Sequence, residues 1–152
     1  MNLQEELKSL KERIAELEEQ AKEEWEFPRE DEVFWLINIF GKPIGSTWGE
    51  STTNKQLIEI GNMFRTKEQA EFAVEKLKVE AELRKFSRPF KCGEINHYIF
   101  LNTDNECLDV VGLSYSQYQG TIYFESEEIA EKAIEAVGKE RIKKYIFGVE
   151  DL

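Results

Sequence analysis

Histidine is nearly absent from this chain: there is one, His97, among 152 residues. A histidine-rich metal centre is therefore excluded. The only thiol–imidazole pair on offer is His97 with Cys92, five residues earlier. The two cysteines, Cys92 and Cys107, have no C-x-x-C spacing, which excludes a zinc knuckle. They read as reduced, buried, small apolar residues. No apolar run approaches the roughly 20 residues of a membrane span. The opening residues, Met1 to Glu6, are acidic rather than leader-like, so a cytoplasmic protein is expected. Basic charge is also scarce. Lys and Arg number 20 against 31 Asp and Glu, a formal net charge of −11. A surface of that sign repels polyanions, so direct nucleic-acid binding is not expected despite two basic patches, Arg84-Lys85-Arg88-Lys91 and Lys139 to Lys144.

What is present begins with a leucine periodicity. Leu3, Leu7, Leu10, Ile14, Leu17 and Ala21 recur at alternating spacings of four and three. This is the seam of a coiled coil, with Leu7 and Ile14 at a and Leu3, Leu10 and Leu17 at d. The flanking g and e residues pair with opposite sign across a parallel dimer, Glu6 with Lys11 and Arg13 with Glu18. Residues 1–27 are thus read as a coiled-coil helix that forms a parallel homodimer. The alternative is a helix packed on the chain's own body. A charged hinge, 28–32, follows Pro28. Residues 1–32 hold twelve acidic and five basic residues, a net of −7, and residues 33–152 carry the remaining −4.

The body, 33–152, reads as an internal duplication. Phe34-Trp35-Leu36-Ile37-Asn38 matches Tyr98-Ile99-Phe100-Leu101-Asn102 at an offset of 64 residues. Phe64, Thr66, Glu68 and Ala70 match Phe124, Ser126, Glu128 and Ala130 at an offset of 60. Each half offers a hairpin, a third strand (Leu57 to Phe64 in the first) and a capped amphipathic helix. The expected fold class is α+β: the N-terminal coiled-coil helix, then two tandem β-β-β-α units, 33–88 and 95–147. Neither unit is large enough to bury its apolar face alone, so one antiparallel sheet with both helices on one face is expected.

Catalytic constellations are lacking. Gly41, Gly45 and Gly49 recur without the Lys-Ser/Thr ending of a phosphate loop. Glu127/Glu128 and Glu23/Glu24 read as solvated helix charges. A non-enzyme without cofactor or metal is expected. Candidate recognition residues are Trp48, Tyr115 and Tyr118, which occupy corresponding loops rich in Ser, Thr and Gln. They could equally cover the edge of the core. Arg65 is a candidate phosphate contact or a salt-bridge partner.

These residues carry a resemblance. Phe34 to Asn38, Ile60 to Glu71, Ala73 to Lys78, Ala130 to Ile134 and Arg141 to Tyr145 are similar to segments of small uncharacterised phage and prophage proteins of Gram-positive bacteria. The resemblance implies an accessory gene product acting in the host bacterial cytoplasm. By analogy it implies an anti-defence inhibitor of the anti-CRISPR kind, with no activity to carry over. The expected partners are a second copy of the chain and a host protein with a basic surface, which an acidic chain approaches by charge steering. The alternatives are a sponge for a nucleotide-like signal and a dimeric structural adaptor.

Overall fold

A computed structural model describes residues 2–25 and 27–150. Met1 and Glu26, assigned above to the coiled coil, and residues 151–152 of the body lie outside the described residues. The described part is α+β, with five helices and two small antiparallel sheets. It divides into two compact units, Met1–Ala70 and Glu71–Leu152. The division falls inside the helix Lys67–Arg84.

The first unit opens with α1, Leu3–Trp25. Its start is a capping box absent from the reading above. The Asn2 side chain accepts from the Gln4 N–H at 3.1 Å, and the Glu5 carboxylate accepts from the Asn2 N–H at 3.2 Å. Every residue from 2 to 21 is exposed. The segment 28–32 is tied down at its end: Asp31 donates to the Trp48 carbonyl at 3.2 Å, and Trp48 donates to the Glu32 carbonyl at 2.8 Å. These bonds prolong the hairpin of β1 (Val33–Ile37) and β2 (Pro43–Thr47). Phe34 on β1 is fully buried, with Trp48 edge-on to its ring at 6.4 Å.

The expected third strand is not formed. Thr52–Glu59 is a helix, α2, whose N-cap Ser51 accepts from the Asn54 N–H at 3.1 Å. Gly61, at φ +71°, ends it in a Schellman motif: Asn62 donates to the Leu57 carbonyl and Gly61 to the Ile58 carbonyl, each at 2.9 Å. Gly61 is thus a helix terminator, not a bend within a strand. The strand shrinks to one bridge, in which Trp35 and Phe64 exchange both backbone bonds at 2.8 Å.

In the second unit β3 (Asn96–Asn102) and β4 (Cys107–Leu113) form the other hairpin. Again the third strand is one bridge, His97 to Phe124. The bridge residue comparable to Trp35 is therefore His97, two positions away from the Trp35–Ile99 match of the sequence repeat. The single shared sheet expected above is replaced by two separate two-stranded sheets. One bridge per hairpin is too little pairing to continue a sheet.

Helix α3, Lys67–Arg84, starts at Thr66, whose hydroxyl accepts from the Gln69 N–H at 3.2 Å. Its later turns supply Val79 and Leu83 to the core of the second unit. There they meet Phe124, then Ala130, Ala133, Ile134 and Val137 of α4 (Glu127–Val137), and Ile142 of α5 (Lys139–Tyr145). Ser126 caps α4, accepting from the Ile129 N–H at 3.2 Å. Gly138, at φ +102°, separates α4 from α5. Helix α4 packs against both β3 and β4.

Candidate functional site

Leu3, Leu7, Leu10, Ile14 and Leu17 lie on α1 and range from 49% to 83% exposed; Ala21 is exposed with them. Arg13 pairs with Glu16 on its own helix at 3.0 Å, and Lys8 with Glu12 at 4.0 Å. Glu6, Lys11 and Glu18 form no ion pair among the described residues. The e and g charges are thus left facing solvent beside an uncovered apolar stripe.

The candidate recognition residues have different surroundings. Trp48 is half-buried against Phe34. The Arg65 guanidinium lies 4.7 Å from the centre of the Phe27 ring, a cation–π contact. Tyr118 packs edge-on to Tyr98 at 5.5 Å, and its N–H donates to the Tyr123 hydroxyl at 2.6 Å. Tyr98 in turn meets Tyr123 at 6.1 Å. Burial, then the neighbouring Tyr118, raises the Tyr98 phenol above its ordinary range. Tyr115 is 82% exposed and adds only the last of the electrostatic contributions that raise Tyr98.

Cys92 and Cys107 are exposed, which corrects their reading as buried apolar residues. Cys92 lies in the loop before β3. Cys107 opens β4 beside the turn, with its thiol 3.5 Å from the Asn105 carbonyl. No hydrogen bond joins Cys92 to His97 among the described residues, and no group of three or more His, Cys, Asp or Glu side chains is gathered for a metal there. The loop carrying Cys92 is held instead by Asn96, which is fully buried. Its amide donates to the carbonyls of Lys91 and Glu94, and its oxygen accepts from Arg88 and from the Lys91 N–H, all within 2.8–2.9 Å.

A groove of about 740 Å³ lies between β4 and α4. Its apolar floor includes Leu108, Val110 and Ile134, and Phe100 also lines it. Its rim carries Asp109, Glu127, Glu131 and Glu135 against a single cation, Lys139. The three glutamates stand at i, i+4 and i+8, on one exposed face of α4. Ala130, Ala133, Ile134 and Val137 form the buried face beside it. Glu127 is exposed, as its sequence context implies. The four-residue spacing was the available signal, but only the position of β4 turns that row into one wall of a groove. A concave apolar floor with an anionic rim suits a basic, partly apolar protein segment rather than a phosphate.

Among the described residues no helix is long and apolar enough to cross a membrane. Comparison with models of known protein families, with curated proteins and with solved structures gives no match.

Proposed function

We propose that the chain is a non-enzymatic binding protein that engages a protein with a basic surface, through the groove between β4 and α4. The acidic rim of that groove, Asp109, Glu127, Glu131 and Glu135 over an apolar floor, carries the reading. Nucleic-acid-handling proteins present complementary basic surfaces, and an anionic competitor docked there excludes their phosphate ligand. Together with the resemblance to phage and prophage proteins, this makes the chain an inhibitor of a host nucleic-acid-handling or defence protein, of the anti-CRISPR kind. It acts in the host cytoplasm as a parallel homodimer paired through α1. The uncovered stripe from Leu3 to Leu17 and Glu6, Lys11 and Glu18, which form no ion pair among the described residues, support the dimer.

The sponge reading has less support. Trp48, Arg65 and Tyr118 already spend ring or cation contacts inside the chain.

The test is an affinity capture from bacterial lysate at low salt, with the native chain and with Glu127→Lys/Glu131→Lys/Glu135→Lys as parallel baits. The native bait recovers a nucleic-acid-binding protein and the reversed bait does not. Adding the native chain to the recovered protein lowers its affinity for nucleic acid. Equal recovery by both baits, or undiminished nucleic-acid binding, overturns the proposal.

A further inference from the structure

The groove is also the open side of a sheet. His97 spends both its N–H and its C=O on Phe124, at 3.1 and 2.8 Å, so its pairing with Gly112 is a non-hydrogen-bonded pair. In an antiparallel ladder such pairs alternate with bonded ones. Ile99↔Val110 and Leu101↔Leu108 are then of the same kind. The backbone groups of Leu108, Val110 and Gly112 consequently point away from β3, and among the described residues no backbone group pairs with them.

The first hairpin handles its free edge differently. Trp35 bonds Phe64 on both sides, so Trp35↔Gly45 is non-bonded, and by alternation so is Ile37↔Pro43. Pro43 therefore stands at an outward position of β2, where it offers no N–H. A proline there blunts an edge against pairing. Strand β4 has no such block.

Four consecutive residues, Leu108, Asp109, Val110 and Val111, line the groove. Side chains alternate between the two faces of a strand, so a run of four marks the strand's edge rather than one face. Leu108 and Val110 pack toward the core on the side of α4. A chain laid beside β4 would send every second side chain to that side, toward Glu127, Glu131 and Glu135.

We propose that β4 accepts an extended segment of the partner as an added strand, with Lys or Arg at alternate positions facing the glutamate row. Main-chain bonds to Leu108, Val110 and Gly112 supply affinity, and the α4 carboxylates select basic side chains. This rests on the reading of the groove as a protein-binding site and names the form and chemistry of what enters it.

The test titrates the full chain with an octapeptide of alternating lysine and threonine. Two controls accompany it: the same peptide with glutamate for lysine, and a lysine peptide N-methylated at every second residue. N-methylation keeps the charge but removes one edge's N–H groups. The lysine peptide binds and slows amide exchange at Leu108, Val110 and Gly112 by about tenfold or more. The glutamate and N-methylated peptides bind at least about tenfold more weakly. Val110→Pro in the chain weakens the lysine peptide similarly, and the N-methylated control decides the matter should that variant not fold. Equal binding of the N-methylated peptide overturns the added strand, as does unchanged exchange at the three amides. Protection of those amides by a second copy alone, rising with protein concentration, overturns it too. If the peptide fails while the lysate partner is still captured in a Glu127-, Glu131- and Glu135-dependent way, only the added strand falls. If the charge-reversed bait captures the same partner, the broader reading falls.

Discussion

The side-chain amide of Asn62 hydrogen-bonds both backbone groups of Ile37, accepting from its N–H and donating to its C=O, each at 2.8 Å. It stands where a strand residue would stand: Trp35 pairs with Phe64, and two steps along the same antiparallel register Ile37 faces position 62. A side chain here continues a ladder that the main chain has left. Asn62→Ala leaves two part-buried backbone groups of β1 unpaired. That should cost about 1–3 kcal/mol, read as a lower urea midpoint with an unchanged slope. Asn62→Asp keeps the acceptor but loses the donor, so it should also destabilise.

Arg141 and Glu82 tie α5 to α3 by two parallel bonds, both 2.9 Å. The guanidinium beside Glu82 holds its carboxyl below the ordinary range, chiefly through the hydrogen bonds. The folded form therefore favours the carboxylate. The pair stabilises the fold above the unfolded carboxyl pKa, and this contribution is lost as pH falls through the folded value. Glu82→Gln should lower Tm at neutral pH, and the gap to the native chain should close as the solution is acidified below the carboxylate range. A gap that stays constant from neutral to acidic pH would show that the ion pair is not its origin.

Ile14→Lys and Leu10→Lys each place an ammonium on the apolar stripe of α1. Both positions are exposed within one chain, 54% and 61%, so neither substitution should disturb the fold of the single chain. In the dimer the charge would be desolvated against its own copy. Sedimentation should show the native chain as a dimer and each variant as a folded monomer, with unchanged near-ultraviolet circular dichroism.

Gly138 has φ +102° and ψ 128°, a region closed to residues with a Cβ. Its N–H still bonds the Ile134 carbonyl at 2.9 Å, and its C=O accepts from Ile142 at 3.1 Å, so it belongs to both helices. Gly138→Ala should destabilise by about 1–3 kcal/mol, measured by urea denaturation. Nothing crowds the added methyl, since the nearest atom, in the flexible Arg141 side chain, is 3.9 Å away. The cost should therefore be one of conformation rather than of packing.

Local chemistry made much of this fold legible. The leucine spacing marked α1. Asn102 to Glu106 marked the turn between β3 and β4. Ser126 and Thr66 marked the starts of α4 and α3 by the same hydroxyl cap. What failed was the strand expected from Leu57 to Phe64. Leu57, Ile58 and Ile60 suit a strand by composition. Ser51 and Gly61, however, are a cap and a terminator spaced for one short helix, and the two together outweigh strand propensity. The separation into two sheets was not legible either, because it depends on how far each third strand pairs. The groove was half visible. The glutamate row of α4 can be read directly, but the edge of β4 that faces it follows from His97 bonding Phe124, a contact between residues 27 apart in the chain.

The unblocked edge of β4 has a further consequence for the molecule itself. An exposed strand invites the same strand of another copy, and that is how soluble proteins begin to stack into fibres. Here any such approach brings Asp109, Glu127, Glu131 and Glu135 of one molecule against the same four acids of the next. The carboxylates that would welcome a cationic guest thus keep identical molecules from zipping together. That safeguard weakens under acid, when they become neutral, and under high salt, when their repulsion is screened.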